Sequence, residues 1–121
     1  MKRIILDTSF LLTALDFKID IVSELERICD FPYVILILDK TLEEIKGKPN
    51  EKLASTFIDH LIKNKKLKIF KTLSKKYTDD ILFLFSTRAI IATQDQELKR
   101  RIKEKNNQII TIRQKSHLII E

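Results

Sequence analysis

Short isoleucine-rich runs alternate with amphipathic stretches along the whole chain, and that alternation limits what it can fold into. "KRIILD", "YVILIL", "LKIFK", "RAIIAT" and "QIITIR" read as strands, rich in β-branched residues and bounded by polar or turn residues. "TSFLLTALD", "DIVSELERIC", "DKTLEEIKG", "PNEKLASTFIDHLIKNKK", "YTDDILFLFS" and "DQELKRRIKEKN" read as the helices between them. In the second helix Ile21, Leu25 and Ile28 recur at helical spacing behind Asp20, a natural N-cap. In the long fourth helix Leu53, Phe57, Leu61 and Ile62 are expected to form the buried stripe. Gly47, the one glycine, stops the helix before it. "YVILIL" is apolar throughout, as a strand covered on both faces must be. Strand–helix alternation of this kind predicts a three-layer α/β/α domain spanning residues 1–121, with a central parallel sheet of about five strands.

Other classes fall away quickly. A chain of 121 residues holds one core and not two. No apolar run approaches a membrane span, and "MKRIILDTSF" is broken by Asp7 with no small-residue cleavage site, so no signal peptide is expected. Cys29 stands alone, which excludes an internal disulfide framework and a cysteine-based zinc site. It is expected as a small buried thiol on a helix, and a reducing cytoplasm is the expected compartment. A single glycine also leaves no Gly-rich phosphate loop, so no nucleotide cofactor is expected.

Carboxylates gather where such a sheet binds ligands. Parallel α/β sheets take their ligands beyond the carboxyl ends of the strands. Asp7 follows the first strand and Glu43 and Glu44 lie on the helix after the second. Asp79 and Asp80 open the helix after the third, and Asp95 follows the fourth. Taken singly, each has a plain structural reading: Asp7, Asp79, Asp80 and Asp95 as helix caps, Glu43 and Glu44 as a solvated face. Together they can meet in one cleft. Crowded carboxylates repel unless a divalent cation neutralises them, and hard oxygens without Cys or His suit Mg²⁺ or Mn²⁺. Such ions activate water and stabilise leaving oxygens in phosphodiester hydrolysis.

"IILDTSFLL", "LEEI", "TDDIL" and "IIATQDQELKRRIK" occur in the order and context of PIN-domain nucleases, a Rossmann-like family, and the resemblance covers essentially the whole chain. It is closest to archaeal stand-alone PIN proteins similar to the eukaryotic small-subunit rRNA-processing endonucleases; "ATQDQELKRRI" and "IITIRQKSHLII" carry the finer match. The resemblance implies Mg²⁺ or Mn²⁺ held by four acidic positions. Asp7 matches the first, with Ser9 beside it, Glu44 the second, and Asp95 the fourth, with Thr93 as a supporting hydroxyl. Asp79 or Asp80 is the third; the segment from there to Asp95 is shorter than usual, which leaves that choice open. The implied function is a metal-dependent endoribonuclease, in ribosomal RNA processing or as a toxin-type nuclease held by an antitoxin. The alternative from another class is a catalytically silent domain that binds RNA or protein. A homodimer is expected by resemblance.

The charge fits an RNA partner. There are 23 Lys+Arg against 17 Asp+Glu, a net +6. "KNKKLKIFKTLSKK" holds seven lysines and "KRRIKEK" five basic residues. Lys99, Arg100 and Lys103 are the expected phosphate contacts, although a solvated surface explains such runs equally simply. Phe70 and Tyr77 are expected to pack in the core or at its edge, and Phe83 to Phe85 in the core. His60 and His117 read as surface residues.

Overall fold

A computed structural model describes residues 1–72 and 76–121. Leu73, Ser74 and Lys75, part of the lysine-rich stretch, lie outside the described residues. Strands β1 (Lys2–Leu6), β2 (Tyr33–Leu38), β3 (Leu67–Phe70), β4 (Ile90–Ala92), β5 (Ile109–Arg113) and β6 (His117–Ile120) form one sheet in the order β3-β2-β1-β4-β5-β6. β1 to β5 run parallel, and β6 returns antiparallel to β5. The sixth strand goes beyond the sequence expectation. Gln114 and Lys115 both take positive φ, the Ser116 amide donates to Arg113 O at 3.2 Å, and Arg113 pairs with His117, closing a hairpin with a three-residue loop. Hairpin loops with positive φ favour glycine or asparagine, so Gln114, Lys115 and Ser116 give no sequence signal.

Helices α1 (Thr8–Asp16), α2 (Ile21–Ile28), α3 (Asp39–Glu44), α4 (Glu51–Lys63), α5 (Thr78–Phe85) and α6 (Gln96–Glu104) connect the strands. Alternate residues of each strand face opposite sides. Ile4, Leu6, Ile35 and Ile37 join Phe10, Leu25 and Ile58 in a core beneath α1, α2 and α4. Ile5, Leu36, Leu38 and Ile91 join Ile81, Leu82, Leu98 and Ile102 beneath α5 and α6. The three layers of the sequence reading are present. The chain runs outward from β1 to β3, then crosses back to β4, so β1 and β4 flank the point where strand order reverses. That point is where such sheets form their crevice.

Several local expectations are corrected. The buried face of α4 is Ala54, Ile58 and Leu61, with Phe57 partly buried; Leu53 is 49 % exposed and Ile62 also faces outward. Leu61 is buried as expected, and the face turns from Leu53 and Ile62 towards Ala54 and Ile58; an alanine carries too little apolar weight to mark a core face in sequence. Ile58→Ala should therefore cost about 2–5 kcal/mol, and Leu53→Ala no more than about 0.5 kcal/mol, in urea unfolding. Leu84 is exposed between the half-buried Phe83 and Phe85. Tyr77 is 82 % exposed. Cys29 is half-buried and sits just past α2 as its C-cap. Asp20 caps α2 by accepting from the Ser23 amide at 3.1 Å.

Candidate active site

Asp7 stands at the tip of β1, where its amide still donates to Ala92 O on β4 at 2.8 Å. It is also the N-cap of α1, so strand end and helix start meet in one residue. Its Oδ1 accepts from the Thr8 amide at 2.8 Å. Its Oδ2 accepts from Thr93 Oγ1 at 2.7 Å and from Ser9 Oγ at 3.1 Å. The local reading of Asp7 as a cap is correct, yet two further hydroxyls are aimed at the same carboxylate. Burial pushes the Asp7 carboxyl up from its ordinary value. The three hydrogen bonds work against that shift, and the charge of Glu44 adds to it.

Thr93 is fully buried and continues the sheet, its amide donating to Ile110 O at 3.1 Å. Its hydroxyl accepts from the Asp95 amide at 3.1 Å while donating to Asp7. Ser9 Oγ accepts from the Gln94 amide at 3.3 Å. Thr93 and Ser9 thus bind the turn after β4 to the carboxylate at the end of β1. Asp95 caps α6 through the Leu98 amide at 2.9 Å. Gln94 Oε1 accepts from Thr111 Oγ1 and from the Ile112 amide, both at 2.8 Å. β4 has ended there, so a side chain replaces the missing strand. Gln94→Ala should cost about 1–3 kcal/mol by thermal or urea unfolding, because both donors lose their acceptor.

Glu44 ends α3 and accepts from Thr8 Oγ1 at 2.6 Å; Thr8 Oγ1 also lies 3.3 Å from Thr41 Oγ1. Thr8 and Thr41 are both buried. Sequence reading passed over them. Nothing in the sequence singles them out, because their contacts exist only where α1 and α3 meet. Asp39, likewise passed over, accepts from the Thr72 amide and hydroxyl at 3.2 and 2.9 Å, tying the start of α3 to the exit of β3.

Asp7, Glu44, Asp79 and Asp95 line one cleft of about 340 Å³ with Thr8, Ser9, Tyr77 and Thr78. Among the described residues, no lysine or arginine is in its lining. Asp80 is absent from that lining. It pairs with Arg101 on α6 at 3.0 Å, and the Arg101 guanidinium stacks on Phe83. Glu43 faces outward beside Lys46, 3.8 Å away. The donor chemistry fits a hard divalent cation: carboxylate and hydroxyl oxygens, with no sulfur, imidazole or competing cation among the described lining residues. Among the described residues, no three Asp, Glu, His or Cys side chains stand close enough to grip one ion as they are. Glu44 is turned to Thr8, and Asp95 and Asp79 to nearby amides, so a shared ion requires side-chain rotation.

The basic residues of α6 are differently placed. Arg100 lies between Glu97 and Glu104, and Lys103 meets Glu121. Lys99 is half-buried, and burial pulls its ammonium down from the usual lysine value.

Comparison with known proteins follows the same lines. Ribonuclease VapC4 of Methanocaldococcus jannaschii is 32 % identical over 130 residues, covering 99 % of this chain and 97 % of that protein. The PIN domain endonuclease Utp24 has the same fold, with a TM-score of 0.76 at 23 % identity over 98 % of this chain and 90 % of that one. Nuclear proteinaceous RNase P 2 (PRORP2) of A. thaliana matches all of this chain with 30 % of its own, at a TM-score of 0.50 and 17 % identity. The family model of the PIN-like domain matches residues 4–115. Nearly the whole sheet, and every residue lining the cleft, falls within that match, and the chain belongs to the PIN-like domain family.

Proposed function

We propose that this protein is a divalent-metal-dependent endoribonuclease. One observation carries the reading: Asp7, Glu44, Asp79 and Asp95, from four separate parts of the chain, line one cleft that has no lysine or arginine among the described residues of its walls. The ribonuclease relative, alike over nearly its full length, supports RNA as the substrate. Asp7, Glu44, Asp79 and Asp95 would hold Mg²⁺ or Mn²⁺. Bound there, the ion would supply an activated water and charge stabilisation for phosphodiester hydrolysis. Ser9 and Thr93 hold Asp7 in place, and Thr8 holds Glu44. Asp80 serves the α5–α6 contact instead.

Lys99, Arg100 and Lys103 remain candidate phosphate contacts, and using them costs Arg100 and Lys103 the carboxylates they now meet. The likeness to Utp24 supports the fold alone, so processing of ribosomal precursor RNA is the finer part of the proposal. The test is incubation of linear and circular RNAs with the purified protein. Cleavage of both with Mn²⁺, and of neither with EDTA, is expected. Intact circles beside degraded linear RNA would contradict internal cleavage, and no cleavage of either would favour a silent RNA- or protein-binding domain.

A further inference from the structure

We propose that a basic groove on the α5 side of the sheet binds single-stranded RNA and leads it to the carboxylate cleft; this rests on the ribonuclease reading and adds the path of the substrate. Three hollows open on this side and share walls. The first and second share Arg3, Arg88 and Ala89; the second and third share Phe70, Phe85 and Arg88. α5, at eight residues, leaves Arg3 of β1 and Lys68 and Phe70 of β3 exposed in them. Their combined wall carries Lys2, Arg3, Lys68, Lys71, Lys76 and Arg88, and no aspartate or glutamate among the described residues.

Most arginines of the chain are differently placed. Arg27, Arg100, Arg101, Lys103 and Arg113 each meet a carboxylate. The side chains of Arg3, Lys68, Lys71 and Arg88 meet none among the described residues. A run of cations without carboxylates attracts a polyanion. The floor adds an aromatic platform. Phe70 is 41 % exposed and packs edge-to-face on Phe85 with ring centroids 5.1 Å apart. Rings interleaved with cations hold single strands by base stacking and phosphate contact, and a duplex keeps its bases stacked on each other. The groove ends at Lys76, and the next residue, Tyr77, lines the cleft. The charge complementarity and the join to the cleft therefore favour single-stranded RNA as the occupant.

The test uses the full chain in EDTA, which stops turnover, and a labelled short oligouridylate titrated at several salt concentrations. Changing Arg3, Lys68 and Arg88 together to Gln should weaken binding at least roughly 10-fold at low salt. It should also flatten the slope of log K against log salt by about 2, at about 0.7 per phosphate contact. Phe70→Ala should weaken binding by roughly 5- to 100-fold with the slope unchanged. Replacing Lys99, Arg100 and Lys103 by Ala should flatten the slope less than the groove variant does. Wild-type affinity and slope in the groove variant would overturn the proposal. So would equal binding of the strand and its duplex with oligoadenylate, or a groove variant that alters only the sedimentation of the protein, which would make this face a contact between copies of the chain. Cleavage with an unchanged KM in the groove variant removes the groove and leaves the nuclease reading standing. A groove that binds RNA in a wild-type protein that never cleaves it does the reverse.

Discussion

Replacing Asp7 with asparagine is expected to lower the proposed metal-dependent RNA cleavage roughly 100-fold or more in a single-turnover assay with Mn²⁺. The substitution is nearly isosteric and keeps the local structure. Asparagine caps helices as well as aspartate does, so the bond from the Thr8 amide survives. Thr93 and Ser9 carry hydroxyls that can turn to accept from the new amide where they now donate to a carboxylate oxygen. The lost element is one negative charge at the most enclosed carboxylate of the cleft. Wild-type turnover in the variant would remove Asp7 from the chemistry and with it the reason for the hydroxyls around it.

The same substitution should raise the stability of the metal-free protein, by about 1 kcal/mol, and should abolish the stabilisation that Mn²⁺ is expected to give the wild type. Burial, reinforced by Glu44, raises the Asp7 carboxyl pKa in the folded state. The folded protein then holds its proton more tightly than the unfolded chain, so ionised Asp7 opposes folding at neutral pH. Its contribution to stability rises as pH falls through the raised folded value towards the ordinary aspartate value. The advantage of the variant should shrink over that same interval and vanish below it. Added Mn²⁺ works in the opposite direction. At 100 times the dissociation constant a ligand of the folded state adds about 2.7 kcal/mol. Thermal melts of both proteins, in EDTA and in Mn²⁺, should therefore cross over: the variant melts higher in EDTA, the wild type higher in Mn²⁺. A variant less stable than wild type in EDTA would mean that the hydrogen bonds to Asp7 outweigh its burial.

The sheet was legible because strands buried on both faces must be apolar throughout, as Ile35 to Leu38 are. The convergence on one cleft was legible because parallel strands place their carboxyl ends on one edge. Other features have no sequence signature. The choice between Asp79 and Asp80 depends on Arg101, which lies far along the chain and draws Asp80 to α6. The hydroxyls of Thr8 and Thr41 matter only because α1 and α3 meet there, and a threonine reads the same in any helix. The lysine runs carried charge but no placement. Arg100 and Lys103 find carboxylates at helical spacing or across the sheet edge, whereas Arg3 and Arg88, isolated in sequence, come together in space. Phe70 and Tyr77 looked like packing residues because aromatic side chains usually are, and the short α5 leaves Phe70 partly uncovered.

Anomalous diffraction from crystals soaked in Mn²⁺ tests the central claim most directly, because it reads the ion's position without relying on activity. The expected result is a peak inside the cleft in contact with Asp7 and at least one of Glu44, Asp79 and Asp95, with Asp80 still paired to Arg101. A peak beside Asp80 alone, or none in the cleft of a protein that binds the ion elsewhere, would contradict a metal-dependent nuclease centre at this site.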